Sequence, residues 1–384
     1  MHILLTALLG FAAFLWVLQS LRAGFGIRRV PRLWETAPLS GSDLHRVSIV
    51  FAARNEAPNL SAAVSSMLKL DYPDYEVIAV NDRSDDGSGA ILEDLARGDS
   101  RLKVIHVADL PAGWLGKPHA LQIGGEAANG EWIVFTDADV RFAPDVLRRA
   151  LALAESEHDD HLSLLAKLEM FGFWERVILT YFALGFLFGL EPWLTNDPKS
   201  NRYIGIGAFQ MIRRPVYEEV GRHTKLAMEV VEDLKLGKLV KLAGCRSQIA
   251  FVREEVVVRW HDGLRNIVRG TTKNFFAAAG FQLWRACFHS FGMLLMSVLP
   301  WIAVFAAGGV DRVFAGVCIG CALVMHGGAA RQTESAWSYS LTHPVGALIY
   351  VWMLMRSTIL TLWRGGVIWR GTFYPLRELR KGVV

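Results

Sequence analysis

The chain has 384 residues, 52% of them hydrophobic and 20% charged, with 41 Lys and Arg against 37 Asp and Glu. A mean hydropathy of +0.27 is too apolar for a wholly soluble protein, and the charge content is too high for a wholly embedded one. That balance excludes a disordered chain, and four cysteines exclude a disulfide scaffold. The net charge of +4 is unevenly placed. Residues 22–34 hold Arg22, Arg28, Arg29 and Arg32 and no acid, and residues 364–384 hold five basic residues against Glu378. The remainder is mildly acidic, which argues against a nucleic-acid partner.

Ile3 to Leu21 is almost unbroken apolar sequence, long enough to cross a bilayer core. Its basic residues follow the apolar run, so residues 1–24 read as an uncleaved anchor with its basic flank in the cytoplasm. Between residues 45 and 285 short β-rich runs alternate with amphipathic ones. The strands expected are Val47–Ala52, Val77–Asn81, Leu102–Val107, Trp132–Thr136, Leu162–Lys167, Phe209–Arg213 and Ile249–Val258. Helical patterns at Leu60–Leu70, Ala90–Ala96 and His119–Ala128 separate the early ones. Apolar strands alternating with helices imply an α/β domain on a parallel sheet, with ligands bound beyond the strands' carboxyl ends.

Phe171 to Trp193 is apolar inside this otherwise polar region, and reads either as a buried core helix or as a helix on the membrane surface. Three further apolar runs follow, at about Phe288–Gly308, Val313–Val324 and Val345–Trp363, within residues 286–364. Residues 329–342 read as a polar loop and residues 365–384 as a basic tail. An N-out anchor followed by three full spans puts that tail outside, against the positive-inside rule. Either one late segment lies in the interface, or the rule is overridden.

The strand ends carry the chemistry-bearing residues. The first ends in Arg54–Asn55–Glu56 and the second in Asn81–Asp82. After the third comes Gly116–Lys117, and the fourth ends in Asp137–Ala138–Asp139. An acidic turn such as Asp85–Asp86 is most simply a capped turn. Asp137 and Asp139 are different: alternate side chains of an extended chain share a face, and like charges that close repel unless a cation reconciles them. Hard oxygen ligands favour Mg²⁺ or Mn²⁺ bridged to substrate phosphates. No glycine-rich phosphate loop of either common pattern occurs, which disfavours a dinucleotide enzyme or an ordinary nucleoside triphosphatase. Glu232–Asp233 opens a helical pattern, either as dipole-matched first-turn acids or as a general base aimed at an acceptor hydroxyl. Arg269 precedes an apolar helix and suits either an anion contact or a membrane-surface anchor. His119 and His261 read as hydrogen-bonding residues, and Cys318 and Cys321 as small residues of a membrane helix.

In this order the motifs resemble those of membrane-bound family 2 glycosyltransferases of GT-A fold. The resemblance covers roughly residues 45–270. It rests on Arg54–Asn55–Glu56, the Asn81–Asp82 turn, Gly116–Lys117 through Leu121, the Asp137/Asp139 pair, the Gly205–Ile206–Gly207–Ala208 loop and Glu232–Asp233. Processive members carry Gln-x-x-Arg-Trp, whereas this chain has Asn266-x-x-Arg269-Gly270, which argues against a polymer synthase. The leading anchor, single catalytic domain and trailing spans are more similar to lipid glycosyltransferases, such as the hopanoid-associated, carotenoid and ceramide enzymes. Length and the closing Trp369–Arg370–Gly371–Thr372–Phe373–Tyr374 segment point to the first of these.

The resemblance implies an inverting, metal-dependent transfer from a nucleotide-diphosphate sugar to a lipid hydroxyl, at the cytoplasmic side of the plasma (inner) membrane. Arg54, Asn55, Glu56 and Asp82 are then expected to hold the nucleoside, and Asp137 and Asp139 a divalent cation, Mg²⁺ or Mn²⁺. Lys117 and Arg269 would face the diphosphate beside Asp137. Gly205, Gly207 and Glu232 would border the acceptor, and Asp233 would be the base. The rival readings are a processive polysaccharide synthase, a polyprenyl-phosphate glycosyltransferase, and a non-catalytic membrane binding protein that has kept the fold.

Overall fold

A computed structural model describes residues 2–384. In chain order, α1 (His2–Gly26) precedes β1 (Val47–Ala53), α2 (Ala57–Leu68), β2 (Tyr75–Asp82), α3 (Ser88–Gly98) and β3 (Leu102–Val107). Next come α4 (Gly116–Ala127), β4 (Trp132–Asp137), β5 (Arg141–Phe142), α5 (Val146–Ser156), β6 (His161–Leu165) and β7 (Lys167–Leu168). Then follow α6 (Phe173–Leu190), β8 (Gln210–Arg213), α7 (Arg214–Glu219), α8 (Glu232–Leu242), β9 (Ser247–Phe251) and β10 (Val256–Val258). The rest is helical: α9 (Gly263–Thr271), α10 (Asn274–Ala278), α11 (Leu283–Ser297), α12 (Leu299–Ala306), α13 (Gly309–Gln332) and α14 (His343–Arg364). Two short strands, β11 (Gly366–Trp369) and β12 (Thr372–Pro375), and α15 (Leu376–Lys381) close the chain.

Two compact units result. An α/β unit holds residues 30–169, 192–259 and 370–384, and a helical unit holds residues 1–29, 170–191 and 260–369.

The α/β unit is built on a seven-stranded sheet of order β3-β2-β1-β4-β8-β6-β9. Its central strands are buried on both faces, as their unbroken apolar runs require: Val47, Ile49, Val50 and Phe51 of β1, and Val77 to Val80 of β2, are fully buried. Each such side chain contributes roughly 1.5–3 kcal/mol relative to leaving it in water. The sheet is mixed, where the sequence pattern predicted a parallel one, because β8 runs antiparallel to both β4 and β6. The chain enters β8 from the glycine loop at residues 205–207, which lies at the carboxyl end of β4, so the strand must run back down the sheet. The expected strand Ile249–Val258 is two strands. β10 leaves the main sheet and pairs with β5 and β7 in a small three-stranded sheet.

In the helical unit five segments are long and apolar enough to cross a membrane: residues 2–29, 173–194, 283–306, 309–332 and 337–364. The expected polar loop at 329–342 is mostly ordered helix, since α13 continues to Gln332 and a 3₁₀ turn occupies Trp337–Thr342. Three contacts set directions. His2 Nε2 lies 3.5 Å from Asp311 Oδ2; Leu9, Ala303 and Ala315 share one buried cluster; and Trp16 Nε1 donates to the Met296 carbonyl at 2.9 Å. Thus α1 and α13 run parallel, with α11 and α12 antiparallel to both. The contacts of α6 gather at one level of this bundle. Phe188 packs on Trp16, Glu191 pairs with Arg22 at 2.6 Å, and Thr180 meets His326 at 2.9 Å. His343, at the start of α14, lies against Trp16 and Tyr181.

Candidate active site

The carboxyl ends of β1, β2 and β4, the start of α4, the 205–207 loop and the start of α8 converge at one edge of the α/β unit. The glycines of that loop explain the convergence. A Cβ on Gly205 would overlap the Asp233 carbonyl oxygen, and a Cβ on Gly237 would overlap the Ile204 carbonyl, so the loop lies directly on the first turns of α8. The Gly207 N–H donates to Asp233 Oδ2 at 2.9 Å, and the Leu234 N–H donates to Asp233 Oδ1 at 2.8 Å. Gln210 ties the strand to the same turn, donating to the Asp233 carbonyl at 3.1 Å. A Cβ on Gly207 would lie 3.0 Å from both Asp137 Oδ2 and Asp233 Oδ2 and 3.5 Å from Lys117 Nζ.

Lys117 is the electrostatic hub. Its Nζ lies 2.6 Å from Asp137 Oδ1 and 2.7 Å from Glu232 Oε1. Desolvation alone would lower its pKa. The fields of Asp137, Glu232 and Asp233 outweigh it and hold the ammonium charged, well above its ordinary range. Asp233 goes the other way: desolvation and then the neighbouring Glu232 push its carboxyl up to about 6, against Lys117 and the Leu234 N–H. A carboxylate so poised is suited to accept a proton near neutral pH.

Asp139 is pushed up to about 7 by desolvation, then by the charges of Asp137 and Glu56. This is the strain of a carboxylate cluster short of positive charge, and a hard divalent cation relieves it. Among the described residues no three His, Cys, Asp or Glu side chains are grouped to hold a metal by themselves. A cation on Asp137 and Asp139 would therefore draw the rest of its shell from phosphate and water, a habit of Mg²⁺ and Mn²⁺ sites. The residues present fit such an ion.

At the ends of β1 and β2, Asp82 is buried and doubly held by Arg83, at 2.6 and 3.0 Å. Arg54 lies 3.8 Å from the same carboxylate and donates to the Asp82 carbonyl at 3.3 Å. A Cβ on Gly116 would collide with Asp82 Oδ2, so α4 starts directly against this group. Asn55, in the left-handed region at φ 56°, accepts the Asp85 N–H at 3.0 Å and braces the two strand-end loops against each other. Asn81 turns aside to His106 at 2.9 Å. Asp86 caps, accepting the N–H groups of Ala57 and Ser88, as expected for an acidic turn. His119 packs edge-on to Trp114, and burial lowers its pKa. Arg269 is an exposed residue in the last turn of α9, in the helical unit.

Three residues at this edge escape the motif reading. Arg83 holds Asp82; Arg370 is ion-paired to Glu56; and the Tyr374 hydroxyl helps hold Arg83 charged. The signal for the last two was the turn-forming Arg370–Gly371 pair followed by a β-rich run, far in sequence from every strand-end motif.

Residues 48–221 match the family described as glycosyl transferase family 2. The uncharacterized glycosyltransferase EpsJ of Bacillus subtilis is 35% identical over 114 residues, 30% of this chain and 32% of that protein. The beta-monoglucosyldiacylglycerol synthase of Trichormus variabilis is 34% identical over 113 residues, 29% of this chain and 24% of that protein. The chain thus spans a third or less of these relatives' length. Among solved structures, the mannosyltransferase PcManGT of Pyrobaculum calidifontis, in complex with GDP-Man and Mn²⁺, superposes with a TM-score of 0.54 at 19% identity. That match covers 90% of this chain and 99% of the other, and gives the α/β unit the GT-A fold.

Proposed function

We propose that this chain, whose residues 48–221 match glycosyl transferase family 2, transfers a sugar from a nucleotide-diphosphate donor to the hydroxyl of a membrane lipid with inversion. One observation carries the reading: Asp137, of the Asp-x-Asp pair, and Asp233, of the Glu-Asp motif, meet across Gly207. A donor-side carboxylate and a base raised to about 6 thus share one small cleft. A divalent cation on Asp137 and Asp139 would supply charge neutralisation at the diphosphate. Lys117 adds a fixed positive charge beside it, and Arg54 and Asp82 form the nucleoside end, with Asn55 bracing the loop behind them. Asp233 takes the acceptor proton as the oxygen attacks the anomeric carbon and the bond to the nucleoside diphosphate breaks on the opposite face, the diphosphate leaving with the electron pair; Gly205, Gly207 and Glu232 shape the acceptor's approach. The mannosyltransferase complex with GDP-Man and Mn²⁺ supports the donor class and the cation, and the diacylglycerol-glycosylating relative supports a lipid acceptor.

Connectivity supports the membrane arrangement. Residues 30–169, 192–259 and 370–384 belong to one unit, so each excursion from it crosses a bilayer an even number of times. A single helix, α6, links residues 169 and 192 and therefore does not cross; its contacts at the Trp16–Arg22 level of the bundle fit a helix lying in the interface. Between residues 260 and 370, α11–α12 crosses outward and α13 crosses back, antiparallel and parallel to α1 respectively. The start of α14 against Trp16 fits a helix at the inner level. The basic collar after α1 and the basic tail then both face the cytoplasm, in agreement with the charge rule. We assign the protein to the plasma (inner) membrane with the α/β unit inside.

The test is purified protein with a panel of nucleotide sugars, Mn²⁺ or Mg²⁺, and a total lipid extract containing hopanoid, carotenoid and ceramide-type lipids, read by mass spectrometry. A cation-dependent monoglycosylated lipid with inverted anomeric configuration is expected. Elongated glycan would make it a polysaccharide synthase. Product on a polyprenyl phosphate would move the acceptor, and no cation-dependent consumption of donor would reject the reading.

A further inference from the structure

We propose that the segment between α14 and α15 completes the donor site, with Arg370 as a ligand of the donor diphosphate and Tyr374 as the brace of its nucleoside end. The inference rests on the glycosyltransferase reading above and adds two residues to it. Arg370 is paired to Glu56 and directs a second N–H toward the Asn55 carbonyl at 3.5 Å. Strand β1, which leads into Glu56, pairs with β4 so that Ala52 lies opposite Asp137. Arg370 is therefore paired to a carboxylate that follows the strand end lying beside the pair that would hold the cation. Four residues on, Tyr374 is buried and its hydroxyl acts on Arg83, which grips Asp82. One short stretch of chain thus touches both ends of the cleft that a nucleotide-diphosphate sugar would fill.

The backbone supports a selected arginine. Arg370 and Gly371 both lie at positive φ, 47° and 79°, in a tight turn whose first position usually carries Asn or Gly. Holding a long side chain there costs on the order of 1 kcal/mol, and such strain concentrates at ligand sites. The segment is also fixed from behind. Leu376 and Leu379 are buried, Gly382 packs against Met228, and the Val384 N–H donates to Glu229 at 3.1 Å. Arg370 is therefore a guanidinium fork held on an anchored strap, parked on a carboxylate that a diphosphate can replace.

The experiment uses the full chain in detergent, titrated by calorimetry with UDP, GDP, UMP and GMP in the presence of Mn²⁺. For the nucleotide that the unsubstituted protein prefers, Arg370→Ala is expected to weaken the diphosphate about 10–100-fold, as loss of a charge-assisted fork does. The monophosphate should weaken less than about threefold, because the bond lost is to the outer phosphate. Arg370→Lys, which keeps the charge but not the fork, should fall between. An unchanged melting temperature certifies the fold. Equal losses for both nucleotides would make Arg370 a structural strap, and no loss would remove it from the site; either overturns the inference alone. Failure of the unsubstituted protein to bind any nucleoside diphosphate would overturn the glycosyltransferase reading together with it.

Discussion

Asp137 and Asp233 both reach the space beside Gly207: an atom added to the α-carbon of Gly207 would sit 3.0 Å from an oxygen of each. The glycine is a spacer whose missing side chain sets the distance between the donor-side carboxylate and the base. Gly207→Ala should fold, since only side-chain atoms are approached, but it must push one carboxylate aside by a few tenths of an ångström. We expect turnover to fall by roughly 10–100-fold with a melting temperature near that of the unsubstituted protein. Gly205→Ala is a different case, because its Cβ would strike the Asp233 carbonyl in a backbone-to-backbone clash. That substitution should lower the melting temperature as well as turnover. If Gly207→Ala turns over normally, the two carboxylates do not act in one step.

Asp233→Asn keeps the shape and removes the base. It should lower kcat by roughly 10²–10⁴-fold while leaving the donor dissociation constant unchanged. The pH profile carries the sign. With its carboxyl at about 6, Asp233 is protonated and inactive well below that pH and ionised above it. Turnover should therefore rise with pH through an acidic limb centred near 6, which flattens toward pH 7. Glu232 raises this value and Lys117 opposes it, so Glu232→Gln should shift the limb to lower pH. Parallel losses of donor affinity and turnover in Asp233→Asn would make the residue part of the donor site instead.

The strands and motifs were readable because each is local. The expected β3 matches its observed bounds of Leu102–Val107, α8 opens at Glu232 as expected, and the residues now gathered in the cleft stand at strand ends or helix starts. What could not be read depends on contacts between distant segments. The reversal of β8 follows from where the chain re-enters after α6, a matter of path rather than of the residues Phe209–Arg213. The ambiguity of Phe171–Trp193 has the same origin: an apolar stretch of this length suits a core or an interface, and the interfacial proposal draws on its distant partners Trp16, Arg22 and His326. Arg370 was hidden for a third reason. Its carboxylate partner Glu56 lies at the far end of the chain, and no period or spacing links them.

The three-crossing arrangement can be tested by labelling. Ser100, Lys199 and Arg377 are exposed residues of the three stretches that make up the α/β unit. In a background whose four native cysteines are replaced, single cysteines at these positions should all react from the cytoplasmic side. An impermeant maleimide should leave them unlabelled in intact cells and label them in inverted vesicles. A cysteine at Gly308, between α12 and α13, should behave oppositely. Should Lys199 and Ser100 label from opposite faces, α6 crosses the membrane and the three-crossing arrangement is wrong.

A lipid acceptor has to be drawn from the bilayer. Phe171, Phe173 and Trp174, at the start of α6, are 66, 55 and 50% exposed, which is costly in water but natural against acyl chains. Glu175 fixes this end of the helix, accepting the Phe171 N–H at 2.7 Å and the Gly263 N–H at 2.7 Å, so the three rings are held rather than trailing. Burying an aromatic ring of this kind in a bilayer is worth roughly 1.5–3 kcal/mol. Replacing all three by serine should therefore raise the KM for a lipid acceptor in vesicles by about tenfold or more. Hydrolysis of the donor in the absence of acceptor needs none of these rings and should stay within about twofold, given that surface substitutions away from the chemistry change stability little. Equal losses of lipid transfer and donor hydrolysis would assign the rings to the fold of the protein, and unchanged lipid use would place the acceptor's entry elsewhere.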